Sequence, residues 1–440
     1  MKFDQFFALA KEKGISESQI QITKSKSLSM SLFHHEMDNY NIADGQSVIA
    51  CGVVDGKFGS CRTEELDSTT FDYLIKGIIE SANASEKDEK AELFAGSEKY
   101  HKKNVFNKEL AGIPVEKKIA LIHEVEDGLF AYDKRISEVE SVSYEEREAV
   151  SEFYNSRGLK LKQKSNYFVI VAGVNGKDGN EMKTAWDIAL GNDLSTFDPK
   201  AFIKGIGDKL LAKFGGVQCV SGNYPTILEN DVFADLVNYF VSSTSADEVQ
   251  RQSSFLIGKL NTKIASSKVN IQERPLAKNV FFSYFDDEGV ATMNKDIVKK
   301  GVLKTYLYNR ETAKKDGVAS TGNGQWEGDK IGIGYGNIYI KGSKKSFEEM
   351  IAPIKEGVFI TEIEGLGTGM NAQSGNFSCQ AQGFMIRDGK KAEPLNLITL
   401  SGNLLKMLSD VKGFDNKMKL NTDSTECADV YIKSMAIGGK

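Results

Sequence analysis

Gly367-Thr368-Gly369-Met370-Asn371-Ala372-Gln373-Ser374-Gly375-Asn376 is the stretch on which the fold class turns. Its first six residues match a dinucleotide-binding fingerprint, and the preceding run from Val358 to Ile363 reads as a strand. That fingerprint works only where a helix opens behind the glycines and aims its amides at a pyrophosphate. Gln373-Ser374-Gly375-Asn376 is turn chemistry instead. The segment therefore reads as a tight connection between strands, and the chain around it as α+β.

Just downstream, Phe377 and Cys379 alternate as on a strand whose edge accepts another strand. Upstream, Gly332, Gly334 and Gly336 recur at every second position and so share one strand face, permitting close backbone approach. No Gly-Lys-Ser/Thr ending makes them a phosphate loop. Helices punctuate this half: one over 231–241, one opened by Ser346 with Glu349 as capping partner, and one over 403–411 ending at Gly413. The C-terminal domain, 221–440, is thus strand-rich, barrel- or sandwich-like.

The first half mixes sheet and helix. Phe3, Phe6, Phe7 and Ala10 repeat at helical spacing up to Gly14. Ile20 and Ile22, then Leu28, Met30 and Leu32, alternate as strands do, and Asp55-Gly56 marks a hairpin after Val48 to Val54. Leu66, Phe71, Leu74, Ile75, Ile78 and Ile79 form a helical stripe, capped by Asp67 or Ser68. The charged run 85–105 reads as an exposed connector closing an N-terminal α+β domain, 1–105. Pro114 opens a helix that buries Ile119, Ile122, Val125 and Phe130. Residues 138–174 predict an antiparallel hairpin turned at Asn155-Ser156-Arg157-Gly158, with the apolar run Tyr167 to Val171 buried on both faces. A helix over 199–213 closes a middle domain, 106–220.

Composition removes several function classes. Lys and Arg number 56 against 61 Asp and Glu among 440 residues, without the positive excess that nucleic-acid binding requires. Five cysteines, at 51, 61, 219, 379 and 427, include no Cys-x-x-Cys pair, which fits a reducing cytoplasm rather than a disulfide framework or a zinc knuckle. Asp4, Lys11, Glu12 and Lys13 interrupt the first residues, unlike a signal peptide, and no run of about 18 apolar residues exists to span a bilayer.

Catalytic chemistry is sparse. The four histidines, His34, His35, His101 and His123, all lie in the first third. A zinc-protease helix needs two imidazoles one or more turns apart with a glutamate beside them, and no histidine follows His123-Glu124. His34 and His35, beside a strand, should point to opposite faces. Composition leaves a Ser-His-Asp triad open, but no Gly-x-Ser-x-Gly elbow occurs. Cys219 reads as a buried structural thiol.

The glycine-rich segments carry a family resemblance. Phe285-Asp286-Asp287-Glu288-Gly289-Val290, Gly301-Val302-Leu303-Lys304-Thr305-Tyr306-Leu307 and Ser320-Thr321-Gly322-Asn323 resemble the TldD/PmbA family, once named modulators of DNA gyrase. So do Ser374-Gly375-Asn376-Phe377, Gln382-Gly383-Phe384, Ile386-Arg387-Asp388-Gly389-Lys390 and Leu400-Ser401-Gly402-Asn403-Leu404. With Asn155-Ser156-Arg157-Gly158-Leu159 and the hairpin from Gly45 to Gly59, the resemblance spans nearly the whole chain. It implies two branches. The TldD branch carries His-Glu-x-x-x-His on a helix and a cysteine near the C-terminus, which bind zinc. The PmbA branch, also called TldE, lacks these and pairs with TldD to cleave peptides in an enclosed chamber. Here the matching positions read Asn238-Tyr239-Phe240-Val241-Ser242-Ser243, with Tyr239 in place of the glutamate. Ala428-Asp429-Val430 after Cys427 departs from the ligand-cysteine motif, while Arg251 to Leu256 and Lys259-Leu260 resemble the PmbA branch.

The resemblance thus implies a non-catalytic subunit with no catalytic residue, metal or cofactor of its own. Its partner would be a TldD-like catalytic subunit or a second copy of itself, with no nucleic acid and no membrane. Substrate would thread as an extended peptide strand. Gly369, Asn371, Ser374, Gly375, Asn376 and Phe377 are the candidate contacts, and the same residues also read as a plain tight turn. Two alternatives stand beside this: a self-sufficient peptidase using the N-terminal histidines, and a protein-binding modulator of gyrase.

Overall fold

Four strands of 19 or 20 residues, flanked by two shorter ones, build the first half. In the computed structural model, which describes residues 3–67, 69–85 and 91–440, these are β1 (Ile15–Phe33), β2 (Glu36–Val54), β3 (Lys57–Thr63), β4 (Ile136–Asn155), β5 (Lys160–Asp178) and β6 (Glu181–Gly191). They form one antiparallel sheet in the order β3-β2-β1-β4-β5-β6. Asp55 and Gly56 both take positive φ, as a two-residue hairpin of this kind requires. His34 and His35 do the same in the turn between β1 and β2, each next to a strand end as expected. His35 Nδ1 lies 3.0 Å from Asp127, and His34 Nε2 lies 3.7 Å from Glu138.

Two helix pairs cover one face of this sheet. Asp4–Glu12 and Thr70–Ala84 bury Phe6, Leu74 and Ile78 against Ile20, Ile22 and Ala50. Val115–Phe130 and Pro199–Leu211 bury Ile122, Val125, Ile206 and Leu210 against Met30, Val142, Phe168 and Ile170. Because helices pack on one face, Phe168 and Ile170 are buried while Tyr167, Val169 and Val171 are only half-buried. This corrects the expectation of burial on both sides. Asp67 Oδ1 accepts from the amides of Thr69 and Thr70 at 2.8 and 3.1 Å just ahead of the helix, whose N-cap is Thr69 rather than the expected Asp67. Ser68 and residues 86–90 of the expected connector lie outside the described residues.

The second half closes on itself. Gly222–Leu228, Glu356–Glu364, Asn376–Arg387, Lys390–Asn403 and Val430–Gly438 pair around a five-stranded barrel. One face of its staves buries Leu228, Val358, Ile360, Val430 and Ile432 with Phe233, Val237 and Phe240 of the helix Asn230–Ser242. The other buries Ile227, Phe359 and Phe384 with Met350 and Ile351. Ser346 and Glu349 form the expected capping box. Gly413 does not end a helix. Leu404–Ser409 stops earlier, and Gly413 sits inside the strand Val411–Phe414.

The halves meet where the uncovered face of β1 receives the turn around Asp287. Gln21 donates to Asp287 Oδ1 at 2.8 Å and accepts from the Trp326 indole at 3.1 Å. Beside them Asp286 accepts from the amides of Glu288, Val290 and Gly324 at 3.0, 2.8 and 2.9 Å, while Glu288 accepts from the Arg310 amide at 2.8 Å. Burial raises both carboxyls, Glu288 up to about 7. The three amide donors on Asp286 oppose that rise without cancelling it, so both carboxyls hold a proton more readily than free acids. An unfolded glutamate titrates at about 4.3. The native state therefore holds an extra proton at Glu288 between these values, and stability falls as pH rises through that window. Glu288→Gln keeps the acceptor and removes the titration. Its thermal midpoint should gain on the wild type progressively from pH 5 to pH 8, and parallel pH profiles would refute the assignment.

Candidate functional site

Helix Asn230–Ser242 is apolar on the side facing the barrel, and its polar positions Asp235, Asn238 and Tyr239 fall on one stripe by their i, i+3, i+4 spacing. That stripe forms one wall of a cleft of about 680 Å³. The hairpin Gly324–Glu327 and Lys330–Ile333 with its continuation supplies Gln325, Glu327, Ile333, Gly334 and Tyr335, and Leu366 and Asp423 complete the lining. The alternating glycines do not serve the expected backbone approach, and only Gly332 lies in a strand. A Cβ on Gly332 would fall 2.2 Å from the Glu327 carboxyl carbon and one on Gly334 1.8 Å from the Gln325 side-chain oxygen, so what they admit is side chains, while Gly336 has only Ser424 Oγ at 3.6 Å.

The helix side chains are largely committed. Asn238 Oδ1 accepts from Thr425 Oγ1 at 2.8 Å, and the Asn238 carbonyl accepts from Tyr335 Oη at 3.0 Å. Phe240 is fully buried. Ser242 and Ser243 donate to the Tyr239 carbonyl at 3.0 and 2.9 Å. Burial foremost, then the charges of Asp423 and Asp231, push the Asp235 carboxyl up to about 6. At the helix start, Lys419 bridges Asp231 at 2.9 Å and Asp187 of β6 at 3.4 Å, tying this helix to the N-terminal sheet.

Of the six residues expected to contact a peptide, Gly369 ends the short helix Leu366–Gly369, and Asn371, Ser374, Gly375, Asn376 and Phe377 lie in the hairpin that follows it. Four residues are too few for a dinucleotide-binding helix. Asn371 Oδ1 accepts from the amides of Gln373 and Ser374 at 3.1 and 2.9 Å, and Gly375 takes a φ of +72°. Asn403 donates to the Ser374 carbonyl and to Asn376 Oδ1, both at 2.9 Å. The Phe377 ring turns into the core, whereas Asn371, Ser374 and Asn376 are exposed. The hairpin reaches the cleft through Leu366 and through Gly367, whose Cβ would stand 3.9 Å from Tyr239 Oη.

Comparison with known proteins locates this arrangement. Residues 108–214 match the PmbA/TldA metallopeptidase central domain, and residues 221–439 match the PmbA/TldA metallopeptidase C-terminal domain. The chain belongs to the TldD/PmbA family. It is 25% identical to the metalloprotease PmbA of Escherichia coli O157:H7, over 96% of this chain and 92% of that one. A crystal structure of a putative modulator of a DNA gyrase from Thermotoga maritima superposes with a TM-score of 0.92 at 28% identity, covering 99% of each chain. The structure of TldE from Thermococcus kodakarensis shares the fold with a TM-score of 0.91 at 21% identity, covering all of both chains.

A metallopeptidase family implies a metal, and the side chains of this TldD/PmbA chain do not fit one. No three His, Cys, Asp or Glu side chains converge on a metal-sized point among the described residues. The Cys427 thiol, buried and with its pKa raised by that burial, donates to the Asn230 carbonyl at 3.2 Å instead of facing the cleft. Asn238 and Tyr239 offer an amide and a phenol where zinc prefers imidazole or thiolate. His123 and the turn histidines belong to the N-terminal half.

Sequence reasoning missed Asp235, Glu327, Tyr335, Leu366 and Asp423. The polar stripe at 235, 238 and 239 on an otherwise apolar helix was the available signal. The hairpin itself is testable by substitution. Gly375→Val puts a branched side chain at positive φ, with its Cβ 3.3 Å from the Phe255 ring. It should lower stability by about 1–3 kcal/mol, while Ser374→Ala should lower it by at most about 1.5 kcal/mol. Equal thermal midpoints for the two variants would contradict the turn geometry.

Proposed function

We propose that the chain is the PmbA/TldE-like, peptide-holding subunit of a TldD/PmbA-type metalloprotease and depends on a TldD-like chain for zinc and hydrolysis. One observation carries the reading. The helix positions where the resemblance places the two histidine ligands are Asn238 and Ser243, the position of the glutamate is Tyr239, and Cys427 is turned away against Asn230. The exposed hairpin tip at Asn371, Ser374 and Asn376 suits an extended peptide bound through its backbone. Five unpaired thiols support a cytoplasmic setting. Among the described residues, no helix is long and apolar enough to cross a membrane.

The test mixes the purified chain with a TldD-like chain encoded in the same genome. Alone, the chain should hold no stoichiometric zinc by elemental analysis and should leave unstructured peptides intact. With the partner, light scattering should report a two-chain particle, and chelator-sensitive hydrolysis should appear. Hydrolysis by the chain alone, indifferent to chelator, would replace this reading with the self-sufficient peptidase. About one zinc per chain would also overturn it.

A further inference from the structure

The cleft beside helix Asn230–Ser242 has a marked charge asymmetry. Asp235, Glu327 and Asp423 line it, and no lysine, arginine or histidine does. None of the three carboxylates has a hydrogen-bond or ion-pair partner among the described residues; Asp235 is half-buried, and Glu327 and Asp423 are exposed at the edge of the cleft. Lys419, the lysine closest in sequence to Asp423, is already bound to Asp187 and Asp231. The rest of the wall is not acidic. Tyr239 and Tyr335 present aromatic rings of the kind that attract cations, and Ile333 and Leu366 present apolar surface for an aliphatic stem.

The shape selects among cations. About 680 Å³ is far more than a bare ion needs, and the carboxylates do not converge as metal ligands do. A long, flexible side chain with a charged head fits both the volume and the separated acids. Such a cation would also relieve the repulsion between Asp235 and its acidic neighbours. The mouth adjoins the start of the hairpin that ends at Phe377, since Leu366 lines the cleft and Gly367 stands next to Tyr239. A peptide seated on that hairpin therefore has a side-chain pocket at hand.

We propose that this cleft receives the lysine or arginine side chain of the extended peptide, making the subunit selective for basic residues. The inference rests on the peptide-holding reading above. Two probes separate them. The first is n-butylguanidinium, followed by ligand-observed NMR on the full chain. It should bind wild type, and Asp235→Asn with Asp423→Asn should abolish the binding while circular dichroism and the thermal midpoint confirm folding. The second is a pair of fluorescent pentapeptides, alanine-flanked lysine and its norleucine counterpart, followed by anisotropy. The lysine peptide should bind about tenfold more tightly, and the advantage should shrink with added salt and vanish in the double variant. Equal affinity for the two peptides overturns the basic preference and leaves peptide holding intact. Binding of butylguanidinium without binding of either peptide keeps the cation pocket and overturns peptide holding. No butylguanidinium binding to folded wild type overturns the pocket. Should the double variant misfold, Glu327→Gln provides the same comparison from the opposite wall.

Discussion

Phe240→Ala should destabilise the chain by about 3–5 kcal/mol, the range for removing a fully buried aromatic ring. Phe240 has no exposed surface and packs near Phe255, with ring centroids 6.5 Å apart, in the large core that joins helix Asn230–Ser242 to the barrel. The same helix presents Asp235, Asn238 and Tyr239 to the cleft, so loosening its buried side disturbs the open one. Urea denaturation measures the effect. A loss below about 1 kcal/mol would mean that the helix is not held by its apolar stripe. Tyr239→Phe, which removes only a hydroxyl at the cleft, is the control and should change stability little.

Gly383→Val should be worse still. At Gly383 the strand Asn376–Arg387 meets Glu356–Glu364 beside a register shift, and an added Cβ would lie 1.9 Å from the Phe359 carbonyl oxygen. That contact is with backbone, which cannot swing aside as a side chain does. The barrel seam must open or both strands must shift, and the expected loss is about 3 kcal/mol or more. Gly383→Ala should show much of the same loss, because the first carbon already collides. Limited proteolysis should then cut the C-terminal half sooner than wild type. A Gly383→Val protein with a wild-type thermal midpoint would show that the seam is not a close backbone contact.

What the sequence revealed followed from local chemistry. The Asp55-Gly56 hairpin, the Ser346–Glu349 capping box and the alternation of Leu28, Met30 and Leu32 are written in a few adjacent residues, and each matches the structure. The run Tyr167 to Val171 misled because five apolar residues cannot declare which neighbours cover them, and helices lie on one side only. Gly413 resembled a helix stop, but the strand Val430–Gly438 recruits Val411–Phe414 by pairing, a contact between distant segments that no local pattern encodes. The cleft was hidden for the same reason. Asp235, Glu327 and Asp423 come from three separated segments, and only the closed fold sets them around one space. The hairpin at 369–377, by contrast, was found because its Asn, Ser and Gly residues belong to one turn.

The way the barrel closes has a consequence for how the chain is made. Val430–Gly438 is the stave between Gly222–Leu228 and Lys390–Asn403, and its pairing with Gly222–Leu228 spans about two hundred residues of sequence. Contacts that distant carry a large loop-closure entropy and form slowly. A nascent chain that has passed residue 228 therefore displays an unpaired strand edge throughout synthesis of the next two hundred residues. A second edge opens on Lys390–Asn403 before residue 430 leaves the ribosome. The strands of the N-terminal sheet all pair among themselves by residue 191, and the helix Pro199–Leu211 completes the cover of one face soon after, so this sheet is free to form while those edges wait. The interval between the two events is when this chain is most exposed to pairing with another copy of itself.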